Sequence, residues 1–302
     1  MDKVNIIWNV KDGPFGGGNQ FLKRLKDQFV LMGVYVDPSE ADVFLFNSHH
    51  EMESVRELKR LYPHKKFVHR VDGPMRLYNH MDDKRDDMVV SINELSDGIV
   101  FQSLWSREES IRMYPPLSEK PSTVIHNACD LKRRQKELNG KIRLASVSMS
   151  DNVNKGYEIY SYLDENMDFD KYEFSFVGRS PVVWKHINDL GLKTPNEVAD
   201  ILAAHDIFIT ASKNDPCSNS LIEALSVGLP ALVLNSGGHP EIIKKGGMLF
   251  NGTGDVLGKL EELIQYRDCC EKGINVSTMT KTAIMYLAFF EEIKDSYEFC
   301  FT

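Results

Sequence analysis

Apolar runs rich in β-branched and aromatic residues recur through the first half of the chain: VNIIWNV (4–10), ADVFLFNS (41–48), KKFVHRVD (65–72), DGIVFQS (97–103) and STVIHNA (122–128). Near-continuous runs of this kind are expected of strands buried on both faces. Between them the apolar residues change to helical spacing, as at Phe21, Leu22, Leu25, Phe29 and Met32, and again at Val55, Leu58 and Leu61. Strands alternating with helices predict a mostly parallel sheet covered by helices, with residues 4–10 as its first buried strand.

A polar stretch, LKRRQKELNGK (131–141), interrupts this rhythm, and IRLASVSMS (142–150) opens it again as a new first strand. YEFSFVG (172–178), DIFITAS (206–212) and PALVLNS (230–236) continue it. The expected class is therefore α/β, with two Rossmann-like domains, residues 1–140 and 141–302, facing each other across a cleft. The late run TAIMYLAFFEEIKDSYEF (282–299) has helical spacing and is expected to pack on either domain or to bridge both.

Composition narrows the function. The 302 residues, 42% hydrophobic and 26% charged, can furnish two sizeable cores. A net charge of −8 provides no general attraction for phosphate backbones, so broad nucleic-acid binding is not expected. Five cysteines, Cys129, Cys217, Cys269, Cys270 and Cys300, lack paired metal-ligand spacing and suit reduced thiols in the cytoplasm. The apolar run at the start is too short for a signal peptide or a membrane span. Peripheral contact with a membrane surface stays compatible with this pattern, which specifies no oligomeric state.

Two segments carry candidate chemistry. In GPFGGGNQFLKRL (13–25), Gly16, Gly17 and Gly18 lie between a strand and a helix, where missing Cβ atoms permit either a tight turn or close approach of a ligand to free helix amides. The GxGxxG spacing and the Lys-Ser/Thr end of a P-loop are both missing, which argues against a nicotinamide-dependent oxidoreductase. In the second segment, residues 213–243, the loop DPCSNS leads from a strand into the helix LIEALSVG. Ser218, Asn219 and Ser220 stand at that helix entrance as phosphate partners or simple caps. Glu223 sits one turn inside, either a carboxylate suited to the paired hydroxyls of a ribose or a solvated or capping one favoured near a helix N-terminus, and Asp215 lies eight positions earlier on the loop.

The pattern Asp215-x7-Glu223, then Glu223-Ala224-Leu225-Ser226-Val227-Gly228-Leu229-Pro230, then Gly237-Gly238-His239-Pro240-Glu241, resembles the Glu-x7-Glu motif, its continuation and the GG-x-P-E turn of retaining GT-B glycosyltransferases, those of glycosyltransferase family 4. GPFGGGNQ, HRVDGP, FQSLWS and VIHNACD in the first half are compatible with it. The resemblance implies two facing Rossmann-like domains, with a nucleoside-diphosphate sugar as donor substrate and no other cofactor. It implies that Glu223 binds the donor ribose, that Asp215 contacts the transferred sugar, and that Lys155, in the NKG of residues 154–156, binds the donor diphosphate. Ser150 stands where the family commonly has a second diphosphate-binding arginine, so that clamp is either missing or supplied elsewhere, with Arg179 as a candidate substitute. Gly17 and Gly18 join the donor-binding candidates.

On the acceptor side, HRVDGP (69–74) follows a strand, so His69 could orient hydroxyls, Arg70 steady an anionic group and Asp72 approach an acceptor alcohol, unless all three merely organise a turn. Ser103 or Ser106 is expected to cap the next helix, and Trp105 either to stack on a sugar or to pack in the core. Asp82-Asp83 and Asp86-Asp87 read as a solvated helical charge face rather than a metal site, so transfer without a metal is expected. The partners implied are a nucleotide sugar and a hydroxyl-bearing glycan or glycoconjugate. A GT-B-like sugar phosphorylase or epimerase and a non-catalytic nucleotide-sugar or carbohydrate binding protein are the alternatives.

Overall fold

A computed structural model of the chain describes residues 2–9, 17–79, 84–131 and 140–298, with the side chains of 294–298 left out. It forms two compact units, one drawn from residues 1–11, 18–127 and 277–302, the other from 12–17 and 128–276.

The first unit is a parallel sheet of five strands in the order of the chain, β1 (Val4–Ile7), β2 (Val43–Asn47), β3 (Lys66–Val71), β4 (Gly98–Phe101) and β5 (Ser122–Val124). Its helices are α1 (Gly17–Leu31), α2 (Met52–Leu61), α3 (Met75–Tyr78), α4 (Arg85–Asn93) and α5 (Leu104–Met113). The first strand is shorter than the apolar run predicts; Trp8 and Asn9 already lie beyond it, and Val10 is outside the described residues. Tyr35 bridges to Val4 by backbone bonds from Val4 N to Val34 O and from Val36 N to Val4 O, while Val43 N bonds to Lys3 O. Alternate residues of a strand bond to opposite sides, so after α1 the chain visits one edge of β1 before β2 takes the other. The winding direction thus reverses at β1.

The two faces of this sheet are filled differently. Ile7, Phe44, Phe46 and Phe67 cluster with Val55 of α2 and Ile92 of α4. Arg70 stacks on Phe21 of α1, and Asp86, expected on a solvated face, is instead buried. Its carboxylate accepts from the amides of Met75 and Arg76 and from the Tyr114 hydroxyl, which anchors the start of α3; Asp82 and Asp83 are outside the described residues.

The second unit is a parallel six-stranded sheet in the order β11-β10-β9-β6-β7-β8. Its strands are β6 (Ile142–Ser148), β7 (Tyr172–Gly178), β8 (Asn188–Asp189), β9 (Ile207–Thr210), β10 (Ala231–Leu234) and β11 (Gly247–Phe250). Between them run α6 (Tyr157–Asn166), α7 (Pro195–Ala204), α8 (Asn219–Ser226) and α9 (His239–Ile243), followed by α10 (Val256–Gln265) and α11 (Arg267–Gly273). Buried apolar side chains cover both faces, Leu144, Phe174, Phe176, Ile207 and Leu232 on one, Ala145, Val147, Val177, Phe208 and Val233 on the other. This is the environment that continuous apolar strands require.

The last helix, α12 (Met279–Glu298), which the sequence allows on either domain or across both, groups with the first unit. Its aromatic residues explain the placement. Tyr286 lies 6.4 Å from the ring of Phe21, Phe290 6.5 Å from Phe29, and Ile293 and Phe289 fill the space left by the missing side chain of Gly98. The α/β class with two parallel, helix-covered sheets is the one the sequence predicts.

Candidate functional site

In a parallel sheet, ligands bind outside the carboxyl ends of the strands where the strand order reverses. In the second unit the chain passes from β6 to β7 on one side, and later places β9 on the other side of β6. The reversal point therefore lies between β6 and β9. The loops that follow these two strands carry Lys155 and Asp215.

Several local devices bring these residues together. After β6, Ser150 Oγ accepts from Asn152 N, and Asn152 Oδ1 accepts from Asn154 N, which folds residues 153–155 into a single 3-10 turn. Ser150 is thus a turn-forming residue here. Gly156 then adopts φ 74°, and a Cβ at this position would run into the carbonyl of Ala211. Only glycine allows so close an approach in that left-handed conformation. Lys213 N donates to Asn154 O at 2.7 Å, tying the β6 loop to the β9 loop.

The outcome is an ion pair of 3.3 Å between Lys155 Nζ and Asp215 Oδ2, whose side chains are 14% and 9% exposed. Asp215 is held on its other sides as well. Its Oδ1 accepts from Cys217 N at 3.2 Å, and its carbonyl accepts from Gly238 N at 2.9 Å. Gly237, with φ 60°, lies so close to the Asp215 backbone that a Cβ would not fit between them.

Behind this pair stands a buried polar chain that the sequence reading missed. His239 is fully buried, and burial keeps its imidazole below its ordinary pKa and neutral. Nδ1 faces the Leu234 carbonyl at 2.9 Å and so must carry the proton, leaving Nε2 to accept from Ser212 Oγ at 3.2 Å. Thr210 and Ser212 share a further bond of 3.2 Å. These links join the end of β9 to the end of β10. The histidine within the GGHPE turn was the available signal.

Downstream, Ser218 caps α8, its hydroxyl accepting from Leu221 N, which is the capping role weighed for it. Asn219 and Ser220, both half-buried, form the first turn, and the amides there carry the partial positive charge of a helix N-terminus. Glu223 is half-buried one turn further on. Arg179 directly follows β7 at the same end of the sheet; its side chain is exposed, and its backbone is fixed by Ser148 O and by the Tyr157 hydroxyl. Gly17 and Gly18 open α1, Gly17 grouping with the second unit and Gly18 with the first; Gly16 is outside the described residues.

The acceptor-side residues divide by strand alternation. Phe67, His69 and Val71 of β3 face one way, and Val68 and Arg70 the other. His69 is fully buried and stacks on Phe46 at 4.5 Å. Its Nε2 lies 3.0 Å from the Ser48 carbonyl and its Nδ1 2.9 Å from the Asn93 amide. The expectation that it orients acceptor hydroxyls is therefore corrected, because both nitrogens are committed inside the protein.

Burial lowers the His69 pKa to about 4 from the ordinary 6.5. Between these values the unfolded chain takes up a proton that the folded protein refuses, so stability falls as the pH drops. This one group contributes about 3 kcal/mol to that loss on going from pH 7 to pH 4. Urea unfolding followed against pH should show the decline, and His69→Gln should flatten the part due to this residue.

Arg70 is also fully buried, which corrects its expected role of steadying an anionic ligand. Its Nη1 donates to Asn47 Oδ1 and, at 2.8 Å, to Asp72 Oδ1; its Nη2 donates to Asn127 Oδ1 at 2.7 Å. The register of the sheet produces this cluster, since Asn47 sits beside Arg70 and Gln102 directly follows the Val71 partner Phe101. Gln102 donates to Asp72 Oδ1, Asn47 Nδ2 donates to Asp72 Oδ2 at 3.2 Å, and Ser106 Oγ donates to the Asp72 carbonyl. Asp72 keeps 22% of its side chain exposed, and is thus the acceptor-side candidate that reaches solvent from a fixed position. Ser103 supplies the cap of α5 by accepting from Ser106 N, and Trp105 is half-buried.

Residues 163–265 match the family model described as Glycosyl transferases group 1. No curated protein sequence matches the chain. In fold it is similar to the sucrose-phosphate synthase of Thermosynechococcus elongatus, with TM-score 0.71, 11% identity and coverage of 99% of this chain and 98% of that one. It is similar also to HepE of Anabaena in complex with UDP-glucose, with TM-score 0.67, 12% identity and coverage of 99% and 100%. The catalytic domain of Starch Synthase IV from Arabidopsis thaliana, bound to ADP and acarbose, gives TM-score 0.67 at 12% identity and covers 92% and 78%. The chain thus has the fold of the GT-B glycosyltransferases and, over residues 163–265, the sequence pattern of glycosyl transferases group 1.

Proposed function

We propose that this protein is a retaining glycosyltransferase that moves a sugar from a nucleoside diphosphate to an acceptor hydroxyl, without a metal, in the cytoplasm. The observation that carries the reading is the meeting of Lys155 and Asp215 at the reversal point of the second sheet, at the strand end from which α8 departs. Departure of a diphosphate builds negative charge. The Lys155 ammonium and the first-turn amides of α8 carry charge of the sign required, which is the basis for transfer without a metal. Glu223 recognises the ribose hydroxyls of the donor, and Asn219, Ser220 and Arg179 contribute on the phosphate side. Asp72 presents a fixed carboxylate to an acceptor alcohol.

HepE binds UDP-glucose and the starch synthase domain binds ADP, so UDP- and ADP-sugars are the first donors to assay. Purified protein should transfer sugar from one of them to a hydroxyl acceptor with retention at the anomeric carbon by NMR, and with the rate unchanged by EDTA. Inversion would defeat the retaining assignment, and donor binding without any turnover would favour a binding protein. Replacing Glu223 with Gln should weaken the nucleotide sugar by roughly 1–3 kcal/mol through the loss of charge-assisted bonds to the ribose. A donor affinity equal to wild type would reject that role.

A further inference from the structure

Asp215 occupies the position of a glutamate expected to contact the transferred sugar, but its carboxylate points at Lys155. The side chain is one methylene shorter than glutamate, and three elements of the structure confine it. Cys217 N holds Oδ1, Gly238 N holds the carbonyl, and Gly237 packs so closely on the Asp215 backbone that a Cβ would not fit between them. Lys155 differs in kind. Its backbone is fixed by its bond to Asn152 O at 2.9 Å and by the close approach of Gly156 to Ala211, yet its ammonium ends a flexible four-carbon stem. Of the two partners, only the lysine can move its charge.

Resting on the donor reading above, we propose that Asp215 is a positioning residue that holds the Lys155 ammonium in the donor-free protein and releases it to the incoming diphosphate. A diphosphate offers the ammonium more negative charge than one carboxylate, and therefore competes for it. The ion pair keeps a lysine that is mostly shielded from water neutralised and in place until the donor arrives. Discrimination is a second consequence, because a ligand with too little negative charge to displace Asp215 does not capture Lys155. The carboxylate also opposes the diphosphate electrostatically, so the holding role lowers donor affinity.

The test uses UDP as the probe, titrated calorimetrically into the full chain, with ADP and GDP in parallel. Asp215→Asn keeps the shape and the acceptor for Cys217 N, and it should tighten UDP binding roughly 3- to 10-fold, an effect reduced by added salt. Lys155→Ala should weaken binding, and in the Lys155→Ala background Asp215→Asn should give little gain. Asp215→Glu, restoring the carboxylate, should return affinity toward wild type. An equal gain with and without Lys155 would mean general repulsion and overturn the proposal, as would no gain. Weaker binding by Asp215→Asn would place Asp215 on the donor itself and overturn it too. Each of these three outcomes leaves the donor reading standing, whereas failure of wild type to bind any of the three nucleotides removes both.

Discussion

Lys155→Ala should lower kcat/KM for sugar transfer by about 10²–10³-fold, with most of the loss in kcat. In the proposed reaction the negative charge on the diphosphate grows as the glycosidic bond breaks. An ammonium beside it is worth more in the transition state than in the ground state, which is why the rate falls further than the affinity. Lys155→Arg should recover part of the activity, because the charge is kept while its geometry changes from a point to a planar fork. The alanine variant also strands Asp215, 9% exposed, without its partner. Lys155→Ala/Asp215→Asn controls for this, and a double variant as inactive as the single one assigns the loss to the missing ammonium. Steady-state kinetics with the preferred donor read the effect; full activity in Lys155→Ala would remove the lysine from the chemistry.

What the sequence disclosed, and what it withheld, follows from the range of the interactions involved. Buried parallel strands announce themselves by local composition, so runs such as ADVFLFNS and IRLASVS coincide with β2 and β6. The helix entrance at Ser218 was likewise visible, because caps depend on a few adjacent residues. Three features depend on distant partners and left no local trace. Asp86 reads like its charged neighbours, but it accepts from the amides of Met75 and Arg76 and is buried. The tail helix has an apolar face that fits either unit on paper, and only its contacts with Phe21, Phe29 and Gly98 decide the matter.

The third feature is the division between His69 and Arg70. A run such as KFVHRVD shows that alternate side chains face opposite ways, without showing what each face meets. Here one face meets Phe46 and Asn93 and the other meets Asn47, Asn127 and Phe21. The sequence leaves both residues open as ligand contacts or as organisers of a turn, and in the structure both are buried and bonded within the protein. The candidate that follows them, Asp72, is placed by its bond from Arg70.

Arg70→Ala should therefore destabilise the first unit by about 3–5 kcal/mol, the usual cost of removing one partner from a buried ion pair. The guanidinium is wholly enclosed, and its two terminal nitrogens serve Asn47, Asp72 and Asn127 at once. Its plane lies over the ring of Phe21, with 4.7 Å from the central carbon to the ring centroid, so truncation opens a cavity as well as freeing three acceptors. Arg70→Lys should be nearly as damaging, since one ammonium cannot reproduce a planar fork reaching residues on two sides. Asp72→Asn should cost less, because that carboxylate retains some exposure and the amide can still accept from Arg70. Urea denaturation resolved by hydrogen exchange across β2, β3 and β4 separates the first unit from the second. A loss below about 1 kcal/mol for Arg70→Ala, within the range of surface substitutions and weak pairs, would show that the cluster does not support the sheet. A large loss confined to these strands would show that the Asp72 carboxylate stands on the fixed charge of Arg70.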